Sequence, residues 1–160
     1  MDEDQYRKLY HELNPDRCVF EKSINNRRCD CELKHRFLIA TREGIACRSK
    51  TALANCTLLL NTMRDKARFV LKLVNIEGPV PHNKELRVQA GGLLGLQALT
   101  QSDLQYAETV LNAHQTVTAT LVKYGSIEEI PYSDIIKEIA TYKVRPKRSK
   151  KRLPTSRQDK

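Results

Sequence analysis

No window of the chain approaches the run of about 18 apolar residues that a membrane-spanning helix needs. The opening MDEDQYRKLY lacks the basic start and apolar segment of a secretory signal. These two absences lead to the expectation of a soluble, cytoplasmic protein without a membrane span. Pairs of cysteines with two to four residues between them, the knuckles of structural zinc sites, are missing too; Cys29 and Cys31 have only one residue between them. So are an HExxH motif, a Ser-His-Asp set and a paired-carboxylate arrangement, which leaves hydrolytic or hydride-transfer catalysis unsupported and an enzyme the less favoured expectation. The glycine-rich AGGLLG at residues 90 to 95 has neither the Lys-Ser/Thr of a phosphate loop nor the full dinucleotide pattern, so it reads as packing or a turn.

The 160 residues suffice for one domain with its own core. The net charge of +9 is unevenly spread. Nine of the 28 basic residues fall from Lys143 onward against one carboxylate, Asp159, whereas residues 1 to 142 hold 19 basic and 18 acidic groups. Residues 144 to 160 are therefore expected to form a disordered basic tail behind a domain of residues 1 to 143. In that tail Lys147, Arg148, Lys150, Lys151 and Arg152 are the candidate contacts to phosphate or to an acidic partner. The tail has no aromatic residue on which to stack bases, which argues against sequence-specific reading of single strands.

Apolar periodicity predicts a mainly helical domain. A first helix carries Tyr6, Leu9, Tyr10 and Leu13 and ends at Asn14-Pro15. The strongest pattern runs from a Ser49 cap to about Asn75, with Leu53, Cys56, Leu60, Met63, Ala67, Val70 and Val74 on one face; as one helix it would span about 40 Å. Gly91, Gly92 and Gly95 leave the next segment as a short helix or a tight turn. Another helix is expected from near Thr100 to Gly125, and a last one after Pro131 with Ser133 as its cap. Residues 16 to 48 show little periodicity and read as irregular.

That irregular stretch holds most of the cysteines. All five, Cys18, Cys29, Cys31, Cys47 and Cys56, fall between residues 16 and 56. An odd number in a chain without an export signal argues against a disulfide framework and for metal binding, thiol chemistry or buried thiols. The span Arg17 to Lys50 carries nine basic groups against four acidic ones, and the long helix begins just past Cys47. Thiolates and iron-sulfur clusters are negative, so cations and a helix N-terminus suit them. The leading expectation is thus an iron-sulfur cluster ([4Fe-4S] or [2Fe-2S]) held by four of the five cysteines, with Cys56 the least secure because Ala or Val would serve on its helix stripe. Such a protein would act in electron transfer, redox sensing or as an accessory subunit, with a protein redox partner. The rivals are a zinc-stabilised nucleic-acid-binding module using the basic tail, and a Cys29-Cys31 thiol-redox protein. His35, four residues after Cys31, is a substitute ligand; His114 reads as a core histidine.

Overall fold

The structure, a computed structural model, describes residues 2–73 and 80–144. It is mainly helical, 57% helix and 11% strand, as the periodicity predicts. The tail positions Lys147, Arg148, Lys150, Lys151 and Arg152, and the expected helical stretch past Leu73, lie outside the described residues.

Helix α1, Glu3–Leu13, opens with a capping box. The Asp2 carboxylate accepts the Gln5 N–H at 2.8 Å, and the Gln5 side chain accepts the Asp2 N–H at 3.4 Å. A short helix α2, Glu21–Asn25, follows. Residues 34 to 47, expected to be irregular, form an antiparallel hairpin of β1, Lys34–Ile39, and β2, Arg42–Cys47, in which Lys34 faces Cys47. Both strands are short and half exposed, so little alternation was visible in the sequence.

Helix α3, Lys50–Ala67, starts as predicted: Ser49 Oγ accepts the Ala52 N–H at 3.1 Å. It stops earlier than the periodicity implies. After Ala67 the chain winds into turns that still bury Leu71, and Lys72, at φ 54°, ends them in the left-handed region.

Helix α4, His82–Leu86, runs through a π turn, Arg87–Gly91, into α5, Gly92–Thr100. The glycines that obscured this helix in the sequence are places of close packing. A Cβ on Gly91 would stand 3.1 Å from Ile139 Cα, and one on Gly92 2.5 Å from Met63 Sδ. The expected helix from Thr100 to Gly125 shrinks to α6, Ala113–Tyr124, preceded by a 3₁₀ turn at Ser102–Leu104. Tertiary pairing overrides helix propensity here, because Val110 bridges Cys29 and residues 109 to 111 lie extended beside residues 28 to 30. Gly125, at φ 86°, terminates α6 as predicted. Helix α7, Tyr132–Thr141, follows Pro131; no side chain caps it, so Ser133 does not play the expected role.

Helices α3, α5, α6 and α7 pack on one another around Leu59, Leu60, Met63, Leu93, Leu96 and Ile135, with Ile45 of β2 and Phe20 extending the core toward the cysteine segment. Among the described residues no helix is long and apolar enough to cross a membrane.

Candidate functional site: four thiols on one apolar cavity

Four of the five cysteines, distant in sequence, line one cavity. Cys18, Cys31, Cys47 and Cys56 share its wall with Leu33, Leu53 and His114, among others. None of the five forms a disulfide.

Each thiol reaches the cavity through a distinct piece of backbone. Residues 16 to 18 run beside β2 through an isolated antiparallel bridge: Arg17 bridges Ala46, the Cys18 N–H donates to the Ile45 carbonyl at 2.9 Å and the Cys47 N–H donates to the Asp16 carbonyl at 2.8 Å. This brings Cys18 and Cys47 together. The Cys31 carbonyl accepts the Lys34 N–H at 3.3 Å, and Lys34 pairs with Cys47 across the hairpin. Cys56 comes from the second turn of α3, just beyond Leu53.

Cys29 stands apart. It is buried against Val110 and borders a different groove with Arg27, Lys34 and Arg36. Sequence reasoning ranked Cys56 below Cys29 because Cys56 sits on an apolar helix stripe. The structure puts Cys56 on the shared cavity and Cys29 outside it.

The electrostatics at the cavity oppose each other. Burial pushes the Cys18 thiol up to about 12, and negative charge on Cys31 and Cys47 would add to that. Burial likewise raises Cys56 to about 12, reinforced by Cys18, Cys31 and Cys47, and it raises Cys31 as well. Each of these thiols therefore resists ionising alone, and each would feel charge on the others. Backbone donors work the opposite way: the Phe20 N–H favours the Cys18 thiolate, and the Leu33 and His114 N–H groups favour that of Cys31. The first turns of α3 and α6 also contribute Ala52, Leu53, Ala113 and His114 to the wall, so the positive ends of two helices face the sulfurs.

A second layer holds this arrangement. Gln97 is fully buried; its Nε2 donates to the Thr109 carbonyl at 3.1 Å and its Oε1 accepts the Leu111 N–H at 3.2 Å. Between those two bonds Val110 exchanges hydrogen bonds with residues 28 and 30, and the Ala113 N–H donates to the Asp30 carbonyl at 2.8 Å. Gln97 thereby fixes both the strand leading into Cys31 and the helix start that directs the His114 N–H at its sulfur. His114 Nδ1 meets Glu32 Oε1 at 2.7 Å, and the Glu32 N–H reaches Asn112 Oδ1 at 3.3 Å, closing the same corner. His114 is thus a wall residue of the cavity, whereas the alternative ligand, His35, is exposed on β1 and stacked on Phe37.

The donor set is sulfur-only, in apolar surroundings with amide donors and helix N-termini aimed at it, and this chemistry suits a negative thiolate-ligated group. The space is tight. The cavity measures about 20 Å³, room for about one water, so a larger guest needs the strand ends and loop bearing Cys18, Cys31 and Cys47 to spread outward. Among the described residues no group of three or more His, Cys, Asp or Glu side chains is placed to hold a metal ion. Comparison with family models, with curated proteins and with solved structures returned no match, so this reading rests on the chain's own residues.

Proposed function

We propose that the chain is an iron-sulfur protein whose cluster is bound by Cys18, Cys31, Cys47 and Cys56. The observation that carries this reading is the convergence of four thiols, from four separate parts of residues 18 to 56, on one apolar cavity. When bound, the cluster supplies one-electron chemistry. The residues around it do the rest. The four thiolates would occupy the cluster's protein-facing positions, the Leu33, Phe20 and His114 N–H groups offset their charge, and Leu33, Leu53 and Ala113 exclude water. With four protein sulfurs available, no position need be left for a substrate, which favours electron transfer or redox sensing over catalysis at the metal. Electrons would pass to and from a protein redox partner. A zinc ion at the same thiols is the alternative, disfavoured by the lack of paired cysteine knuckles in the sequence.

The test is a substitution series in the full chain, reconstituted anaerobically with iron and sulfide. Cys18→Ser, Cys31→Ser, Cys47→Ser and Cys56→Ser should each lose most of the bound iron, and Cys29→Ser should keep it. Equal loss in the Cys29 variant, or retention in two or more of the other four, would defeat this ligand assignment.

A further inference from the structure

On the outer side of Cys18 lies a separate cleft of about 530 Å³, within the size range of small-molecule sites. It is formed by α2, α3 and α4. Two glutamates in its wall are buried, and each is matched with an arginine.

Glu21, with its side chain 8% exposed, accepts the Arg17 Nε at 2.7 Å and the Ile45 N–H at 2.9 Å, and it takes the Tyr10 hydroxyl as well. Glu85, 5% exposed, accepts Arg64 Nε at 3.0 Å and Gln89 Nε2 at 2.9 Å, and it also pairs with Arg64 Nη2. Burying two carboxylates is a poor way to stabilise a fold. It is an effective way to hold arginines, because a carboxylate that grips one edge of a guanidinium fixes its plane and leaves the remaining N–H groups to point elsewhere.

The exposures follow that division. The Arg17 and Arg64 side chains, which line the cleft, are 48% and 31% exposed while their glutamates are hidden. Arg17 also lies over the Tyr10 ring at 5.0 Å and Arg64 Nη1 donates to Asn61 Oδ1 at 3.1 Å, which leaves each guanidinium N–H groups free for a guest. Both oxygens of each glutamate accept at least one donor. Lys22 adds a third cation to the wall. Among the described residues the remaining acidic one in the wall, Asp65, lies 3.7 Å from Arg68.

We propose that this cleft binds a small multivalent anion, bearing phosphate or carboxylate groups, through Arg17, Lys22 and Arg64. Because Cys18 lines both the cleft and the thiol cavity, the anion lies against one corner of the proposed cluster site. The inference does not need the cluster, and its test is independent of it.

The test is a lysine-acetylation footprint of the full-length protein, read by mass spectrometry at constant ionic strength, with inorganic pyrophosphate and with citrate as probes. Lys137, 78% exposed on α7, is the internal reference. Acetylation of Lys22 should slow saturably, about tenfold at a probe concentration ten times Kd, while Lys137 is unaffected. Protection by pyrophosphate alone assigns phosphate chemistry, by citrate alone carboxylate chemistry, and by both a site that reads charge. Asn61 Oδ1 accepts Arg64 Nη1 at 3.1 Å, so Asn61→Asp sets a carboxylate against that guanidinium in competition with the anion and should weaken protection several-fold while the protein stays folded. The proposal is overturned if neither probe protects Lys22 more than Lys137, including the case in which only the lysines of the basic tail are shielded, or if Asn61→Asp stays folded and protects as wild type does.

Discussion

Replacing Gln97 with methionine removes a clamp while keeping the volume of the side chain. Gln97 has no contact with the thiol cavity, yet its two hydrogen bonds bracket Val110, the residue that locks the strand before Cys31. In the variant the Leu111 N–H and the Thr109 carbonyl lose their partner in a part-buried setting. At about 1–3 kcal/mol for each unsatisfied group, and with partial rescue by water at both, the loss of stability should be about 2–4 kcal/mol. That is a large share of the stability of a domain this size, but it should leave the fold intact. The informative readout is the pattern among the thiols. In metal-free protein under native conditions, alkylation of Cys31 should accelerate at least about tenfold more than that of Cys56, since local opening of residues 28 to 31 and 109 to 114 frees Cys31 while α3 stays packed. Gln97→Glu sets a buried carboxylate oxygen against the Thr109 carbonyl, so at neutral pH it should destabilise at least as much as methionine, and part of the loss should return at low pH as protonation restores a donor. If all four cavity thiols accelerate together in step with the drop in melting temperature, Gln97 is an ordinary core residue and the chain of contacts from it to Cys31 has no functional meaning.

Other consequences follow from the same contacts. The raised thiols bear on pH: a folded-state value above the ordinary 9.0 stabilises the metal-free fold below pH 9, and that contribution is lost as pH climbs toward 12. Denaturant titrations should therefore show a fall in stability over pH 9 to 12 that is smaller in a Cys18→Ala/Cys56→Ala double variant, and loading the thiols at neutral pH should release protons measurable in weak buffer. Gly91→Ala places a methyl group 3.1 Å from the Ile139 backbone and 3.2 Å from the Glu138 carbonyl oxygen, so α7 has to shift and thermal unfolding should report a loss of about 1–3 kcal/mol. Arg64→Met strands the Glu85 carboxylate in the interior, for which chemical denaturation should show a loss of about 3–5 kcal/mol, and a second change, Glu85→Gln, should restore part of it.

The sequence carried the helices that are long, amphipathic and capped by local chemistry. Ser49, the Asn14-Pro15 stop and Gly125 act within one or two turns, so their meaning does not depend on distant residues. It did not carry the hairpin at 34 to 47, whose half-exposed strands leave no clean alternation, nor the break of the predicted 100-to-125 helix. That break is made by residues 28 to 30, some 80 positions away, pairing with residues 109 to 111. The cysteines show the same limit. Their clustering and basic surroundings were visible, but which four face one another depends on the bridge between Arg17 and Ala46 and on the turn of α3 that carries Cys56. The signals for His114 and Gln97 were faint. A lone glutamine among the leucines, glycines and alanine of GLLGLQALT was the one local hint that something polar needed holding, and the apolar stripe that made His114 look like a core residue gave no sign that its backbone N–H serves Cys31.

Metal and sulfide analysis of the full-length protein purified without oxygen tests the central claim most directly. The four-thiol site predicts brown protein with a broad absorption near roughly 400 nm, containing iron and acid-labile sulfide in equal amounts for a [4Fe-4S] or [2Fe-2S] cluster, and losing both when Cys56 is replaced by serine. Colourless protein carrying one zinc per chain, or protein free of metal that takes up neither iron nor sulfide on anaerobic reconstitution, would contradict it.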